Sequence, residues 1–171
     1  MDFGFVNANS DSNGRNSLAL AVLRISVGVL FLIFAQYKVF GTQFTLHGGF
    51  QFWINRFLEE GTYPFMKPVL KGFVLPHATS IAFLVAYGEL AIGLSLVSGI
   101  LVRMASGFGL LFMLSLLFSA NYPGANAPLW QYFGASLEHS VLALCFLAFI
   151  LGNANARLSL LKRRVASQSA K

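Results

Sequence analysis

The sequence predicts an all-α integral membrane protein: a four-helix bundle with an amphipathic interfacial helix between its first and second spans. Three observations lead there. Of 171 residues, 56% are hydrophobic and only 11% are charged, whereas an ordinary soluble domain carries about 25% charged residues. A chain this short has too high a surface-to-volume ratio to hide so much apolar surface in one soluble core. The apolar residues also fall in four runs of roughly 20, the length that crosses a ~30 Å hydrocarbon core at ~1.5 Å per residue.

Taken in order, residues 1–16, rich in Asn, Ser, Gly and Asp, read as a flexible cytoplasmic lead. Because these residues are polar and the apolar run after Ser17 exceeds a typical signal h-region, no cleavable signal peptide is expected. The spans are expected over about 17–40, 76–98, 100–120 and 129–151, which makes 17–152 the transmembrane domain and 153–171 a basic tail. Arg157, Lys162, Arg163, Arg164 and Lys171 crowd that tail, and Arg103 lies in the short second connection. The positive-inside rule then puts both termini in the cytoplasm. The third connection, 121–128, has no charge and suits the outside. The first is the awkward one, since Arg56, Lys67 and Lys71 would lie outside.

That first connection has a helix of its own. Phe50, Trp53, Ile54, Phe57 and Leu58 recur at i, i+3, i+4, i+7 and i+8, with Gln51, Asn55, Arg56, Glu59 and Glu60 opposite. Such a helix lies in the interface plane, either as a plain connector in lipid or as a cap that docks a partner. Pro64, Pro68 and Pro76 break the path that follows. Small residues at Ala78, Ala82 and Ala86, and again at Ala105 and Gly109, allow close helix contact in lipid.

Composition excludes several function classes. The net charge of +6 is concentrated in the tail and forms no basic face on a folded domain, so nucleic acid is not an expected partner. Cys145 is alone, which rules out an intrachain disulfide and dithiol exchange. The three histidines, His47, His77 and His139, lie at different depths and cannot ligate a haem in pairs. No zinc-ligand spacing, no Ser/His/Asp set and no phosphate-binding Gly-rich loop is present. No catalytic residue, metal ligand or intrinsic cofactor is expected.

The candidate site therefore rests on ionisable groups within the spans. A charge in hydrocarbon costs at least ~3 kcal/mol on insertion scales and must find a partner or water. Depth counting places Arg24 and Glu89 at one level and predicts an ion pair between them. Glu138 is expected near the midplane, either paired with Arg24 or neutral. His139 is expected about 100° around the same helix, not sharing a face with Glu138. Lys38 is expected at the outer end of its span, reaching the headgroups.

The stretch LRISVGVLFLIFAQYKVFG (23–41) resembles the opening of DoxX-type membrane proteins, with an Arg, a Gly four residues on and a Lys near the helix end. ELAIGLSLVSGILVRMA (89–105) is similar to that family's Glu, Gly, Gly and Arg series, and GNANARLSL (152–160) to its closing Gly-x-Gly-Arg-x-Ser segment. The chain departs at Asn153 and Ala154, where Pro-Gly is expected, and in its longer first connection. The resemblance implies a small membrane subunit of an oxidoreductase assembly, of which thiosulfate:quinone oxidoreductase is one example, with other membrane or peripheral redox subunits as partners. It makes Arg24, Glu89, Arg103 and Glu138, with His139 beside them, candidates for a polar core that is quinone-facing or structural. Quinone or lipid is then the expected ligand. A purely architectural subunit filling a lipid gap, and a small transporter, stand as alternatives.

Overall fold

Two tightly packed helix pairs, joined along a looser seam, make up the bundle. The computed structural model describes residues 4–152, 154, 158 and 159, with side chains from Gly14 onward. The whole basic cluster (Arg157, Lys162, Arg163, Arg164 and Lys171) and Asn153 lie outside the described residues.

The first helix, α1, runs Gly4–Phe40, and its Gly14–Phe40 part is long and apolar enough to cross a membrane. The lead expected to be loose is thus helical from Gly4. No proline interrupts 4–40, and each residue added to an existing helix gains one backbone bond at little cost, even for Asn and Ser. The second and third apolar helices are α5 (Ala78–Ser98) and α6 (Val102–Ser119). Their bounds lie within two residues of the expected spans.

The fourth span differs from its expected form. It is broken into α7 (Leu129–Gly134) and α8 (Leu137–Leu151). Polar side chains compete with the helix ladder here. Asn121 donates to the buried Ser136 hydroxyl (3.0 Å), and the Ser140 hydroxyl donates to the Phe133 carbonyl (2.9 Å). Both interactions satisfy groups at the break, which follows Gly134. With 15 residues, α8 is about 22 Å long at ~1.5 Å per residue.

Packing follows the small residues. Helices α1 and α5 are antiparallel and share the most extensive contact, and α6 with α8 forms the second close pair. A Cβ at Gly28 would come within 2.9 Å of Leu96 Cβ, and one at Gly93 within 2.8 Å of Leu32 Cδ2. At Gly109 any side chain would overlap the Phe146 ring. The contact between α5 and α6 is much sparser. A turn joins these two helices through Gly99 (φ 75°) and Leu101 (φ 52°), a backbone region where glycine is free of the Cβ penalty. On the far side of the seam, Phe31 and Phe146 meet edge to face at 5.3 Å, within a core that includes Val27, Leu96, Met113 and Phe149.

The end of the bundle away from the termini is capped. Here α2 (Thr42–Thr45), α3 (Gly49–Glu60), α4 (Met66–Val69) and a π-helical turn (Leu70–Val74) fold over the start of α5. The amphipathic pattern of α3 is realised: Phe50 and Ile54 are buried with Phe44, Leu70, Ala78 and Ala82, while Phe57 and Leu58 pack partly against that cluster. Trp53 is exposed, with the Arg56 guanidinium 5.4 Å from its ring centre. Thr62 pins the cap to α6 by donating to the Ser119 carbonyl (2.8 Å), and the Tyr63 ring sits among Phe118, Tyr122 and Tyr132.

If the α6–α8 contact is as close as the geometry requires, Gly109→Ala overpacks it, at a cost of about 1–3 kcal/mol. The detergent-solubilised variant should unfold at a lower temperature, and Phe146→Leu in the same chain should restore part of the loss. An unchanged melting temperature for Gly109→Ala would show that the two helices are not held this close.

Candidate functional site

The direction in which side chains leave a helix decides which charges meet. Every Cα–Cβ bond tilts toward the helix N-terminus. On antiparallel α1 and α5, Lys38 therefore leans down from the capped end while Glu89, mid-helix on α5, leans up toward it. The Lys38 ammonium meets Glu89 Oε1 at 2.5 Å, with both side chains largely buried. Phe44 of α2 roofs the pair, its ring centre 5.1 Å from Nζ. Lys38 thus turns inward, not out to the headgroups.

The expected Arg24–Glu89 pair does not form. Arg24 lies at the level of Gly99, where a side chain would collide with its guanidinium. From Glu89 to Gly99 is ten residues, roughly 15 Å along the axis at ~1.5 Å per residue. Depth counting failed because α1 and α5 are offset along the bundle: Gly28 stands opposite Leu96, so the ends of the two apolar runs are not at one level. Arg24, 0% exposed, instead donates from Nη2 to the Leu158 carbonyl at 2.9 Å. Ser159 closes this latch by donating to the Gly99 carbonyl at 3.1 Å. Arg24 Nε and Nη1 have no partner among the described residues.

The other candidates lie apart. Arg103, expected in a polar core, is exposed near the start of α6, because the turn at Gly99 brings it to the bundle's end. Glu138, expected at the midplane with Arg24, is exposed in the first turn of α8, since the break at Ser136 shifts it to the capped end. His139 Nδ1 lies 3.3 Å from Glu138 Oε1, so the two side chains do converge, against the helical-wheel expectation. The ring nitrogen makes no aligned hydrogen bond. Among the described residues no group of three or more potential ligands could hold a metal ion.

Along the loose seam between α5 and α6 runs a groove of about 480 Å3, a size within the range of ligand sites. Leu84, Gly88, Ile92, Met104 and Phe108 are among its apolar walls, and Glu89 and Ser95 are its only polar lining side chains. Glu89 is 6% exposed, and its Oε2 is buried without a hydrogen-bond partner among the described residues. The Ser95 hydroxyl is already committed to the Ile100 carbonyl. Sequence reasoning singled out Glu89 but missed Lys38 as its partner and missed the groove. The signal for Lys38 was available: it is the opposite charge on an antiparallel helix, with a side chain that leans the right way.

A family model described as DoxX matches residues 19–121, well over half of the chain. No curated protein and no solved structure matches it.

Removing one partner of a buried ion pair strands the other, at a typical cost of about 3–5 kcal/mol, whereas replacing both with apolar residues is often neutral. Lys38→Met and Glu89→Leu are each expected to lower the denaturant midpoint strongly, and the double variant to recover most of it. Additive losses in the double variant would mean that the two groups do not share one interaction.

Proposed function

This chain belongs to the DoxX family, and from that premise we propose that it is a small multi-pass subunit of a quinone-linked redox assembly. It anchors partner chains in the bilayer and offers the α5–α6 groove to the head group of a lipid quinone, the redox chemistry being supplied by those partners. One observation carries the reading: an apolar groove along the α5–α6 seam counts Glu89 among its lining residues, and the second oxygen of that buried carboxylate is unpaired among the described residues. A quinone is an apolar molecule with two polar atoms, and ligand sites commonly pair apolar walls with a few placed polar groups. The Lys38–Glu89 pair supplies the polar group, held between two closely packed helices. The residues fit such a ligand by shape and polarity.

A second reading has an observation of its own. Gly88 and Ala91 leave the seam wall shallow, and shallow small-residue walls seat helices in lipid. On this reading the chain is an architectural subunit, and a partner's helix fills the groove.

Gly88→Leu separates the two. No atom lies within 4 Å of a Cβ at Gly88, so the substitution fills the groove without disturbing the fold. After mild detergent extraction, isoprenoid quinone per chain, measured by mass spectrometry, is expected to fall at least fivefold while co-purifying chains stay the same. Unchanged quinone with loss of a partner chain would favour the architectural subunit instead.

The proposed setting is a bacterial cytoplasmic membrane with both termini inside. Supporting it, Arg103 is exposed at the end where α1 begins and α8 ends, and the connection at 121–128, at the opposite end, carries no charge. In a Cys145→Ala background, Ala125→Cys should react with a membrane-impermeant maleimide in spheroplasts, and Arg103→Cys only after lysis. The reverse pattern would invert the topology.

A further inference from the structure

Resting on the quinone reading, we infer that the groove selects the reduced, hydroxyl-bearing form of its ligand over the oxidised form, with Glu89 Oε2 as the group that tells them apart. The argument is one of donors and acceptors. Glu89 Oε1 is taken by the Lys38 ammonium at 2.5 Å. Whichever of those two atoms carries the shared proton, it lies between them, and Oε2 is left as a hydrogen-bond acceptor only. Oε2 has no partner among the described residues and is buried in apolar surroundings. A ligand that brings a donor relieves that, and one that brings another lone pair worsens it.

No competing donor is at hand. Of the groove's lining side chains only Ser95 has a hydroxyl, and the Ile100 carbonyl holds it. Lys38 and Arg103 are not part of the lining, and neither is Arg24, which lies beside Gly99, roughly 15 Å along the axis from Glu89 at ~1.5 Å per residue. The two carbonyl oxygens of an oxidised quinone accept and cannot donate, so they find no match. The two O–H groups of the quinol do. The terminal torsion of glutamate is broad, so a small turn that keeps the Lys38 contact suffices to offer Oε2 to a head group. Tighter binding of the reduced form raises the midpoint potential of the bound couple, by about 30 mV for each tenfold preference.

The test uses the full chain in lipid nanodiscs under anaerobic conditions, titrated with a decyl-chain benzoquinone, its quinol, the dimethyl ether of that quinol, and decanol. The quinol is expected to bind at least tenfold tighter than the quinone, with the dimethyl ether no tighter than the quinone and decanol a poor competitor. In Glu89→Gln, whose amide also donates, the preference should shrink to within about twofold. Equal binding of quinol, quinone and ether, or tighter binding of the quinone, overturns the inference and leaves a quinone site standing. Competition by decanol equal to that of the quinol also overturns it, since any lipid hydroxyl would then serve. Absence of saturable binding by all four removes the inference together with the function it rests on. The ligand comparison on the unaltered chain decides the matter even if Glu89→Gln does not fold.

Discussion

The close approach of α1 to α5 sets what every polar group in this bundle can reach. Gly28 and Gly93 let the two backbones come together, and the resulting register fixes which residues stand opposite one another. Because the helices run in opposite directions, their side chains lean toward opposite ends. Lys38 and Glu89 lean toward each other beneath the cap, and Arg24 leans away from both, under the turn at Gly99. A glycine-to-leucine change at either contact would slide or splay the pair, and the ion pair would lose its geometry along with the packing.

Much of the architecture was legible in the residues, because lipid imposes strong rules on sequence. Apolar runs of the right length gave α5 and α6 almost to the residue, and the period of Phe50, Ile54, Phe57 and Leu58 gave α3. Ala78, Ala82 and Ala86 announced the buried face of α5, where all three are buried. What escaped were features set by tertiary context. The break before α8 depends on Asn121 reaching Ser136 from a distant connection, which no local pattern near 136 reveals. Arg24 was paired wrongly because its depth was counted from the first apolar residue, and because its true partner is a backbone carbonyl at position 158, for which side-chain patterns carry no signal. Glu138 was placed by membrane depth alone and Arg103 in a polar core by the family resemblance alone, and both proved to be exposed at helix ends.

Two buried cations find their partners in different ways, and the difference separates structure from chemistry. Arg24 is spent on a latch of carbonyls at the end of the bundle, where it ties the segment after α8 to the α5–α6 turn. Its Nε and Nη1 are unpaired among the described residues too, but Arg24 is not part of the groove lining, and the contact it makes serves folding. Lys38 instead neutralises one oxygen of Glu89 and leaves the other unused at the wall of a groove. An unpaired acceptor in an apolar setting is unfavourable for folding alone, typically by about 1–3 kcal/mol. A group kept at such a cost is a natural place to look for ligand contact.

The seam itself follows from how the helices divide their contacts. Once α1 has taken α5 and α8 has taken α6, the faces of α5 and α6 that line the seam meet only sparsely, with small residues such as Gly88 and Ala91 on one wall and the exposed Met104 and Phe108 on the other. The residues that make the groove and the ion pair all fall within 19–121, the stretch matched by the family, while Leu158 and Ser159, which complete the Arg24 latch, fall outside it. The part of the chain that carries the candidate chemistry is thus the part that marks the family, and the latch brings the segment after α8 back onto it, closing the end of the bundle opposite the cap.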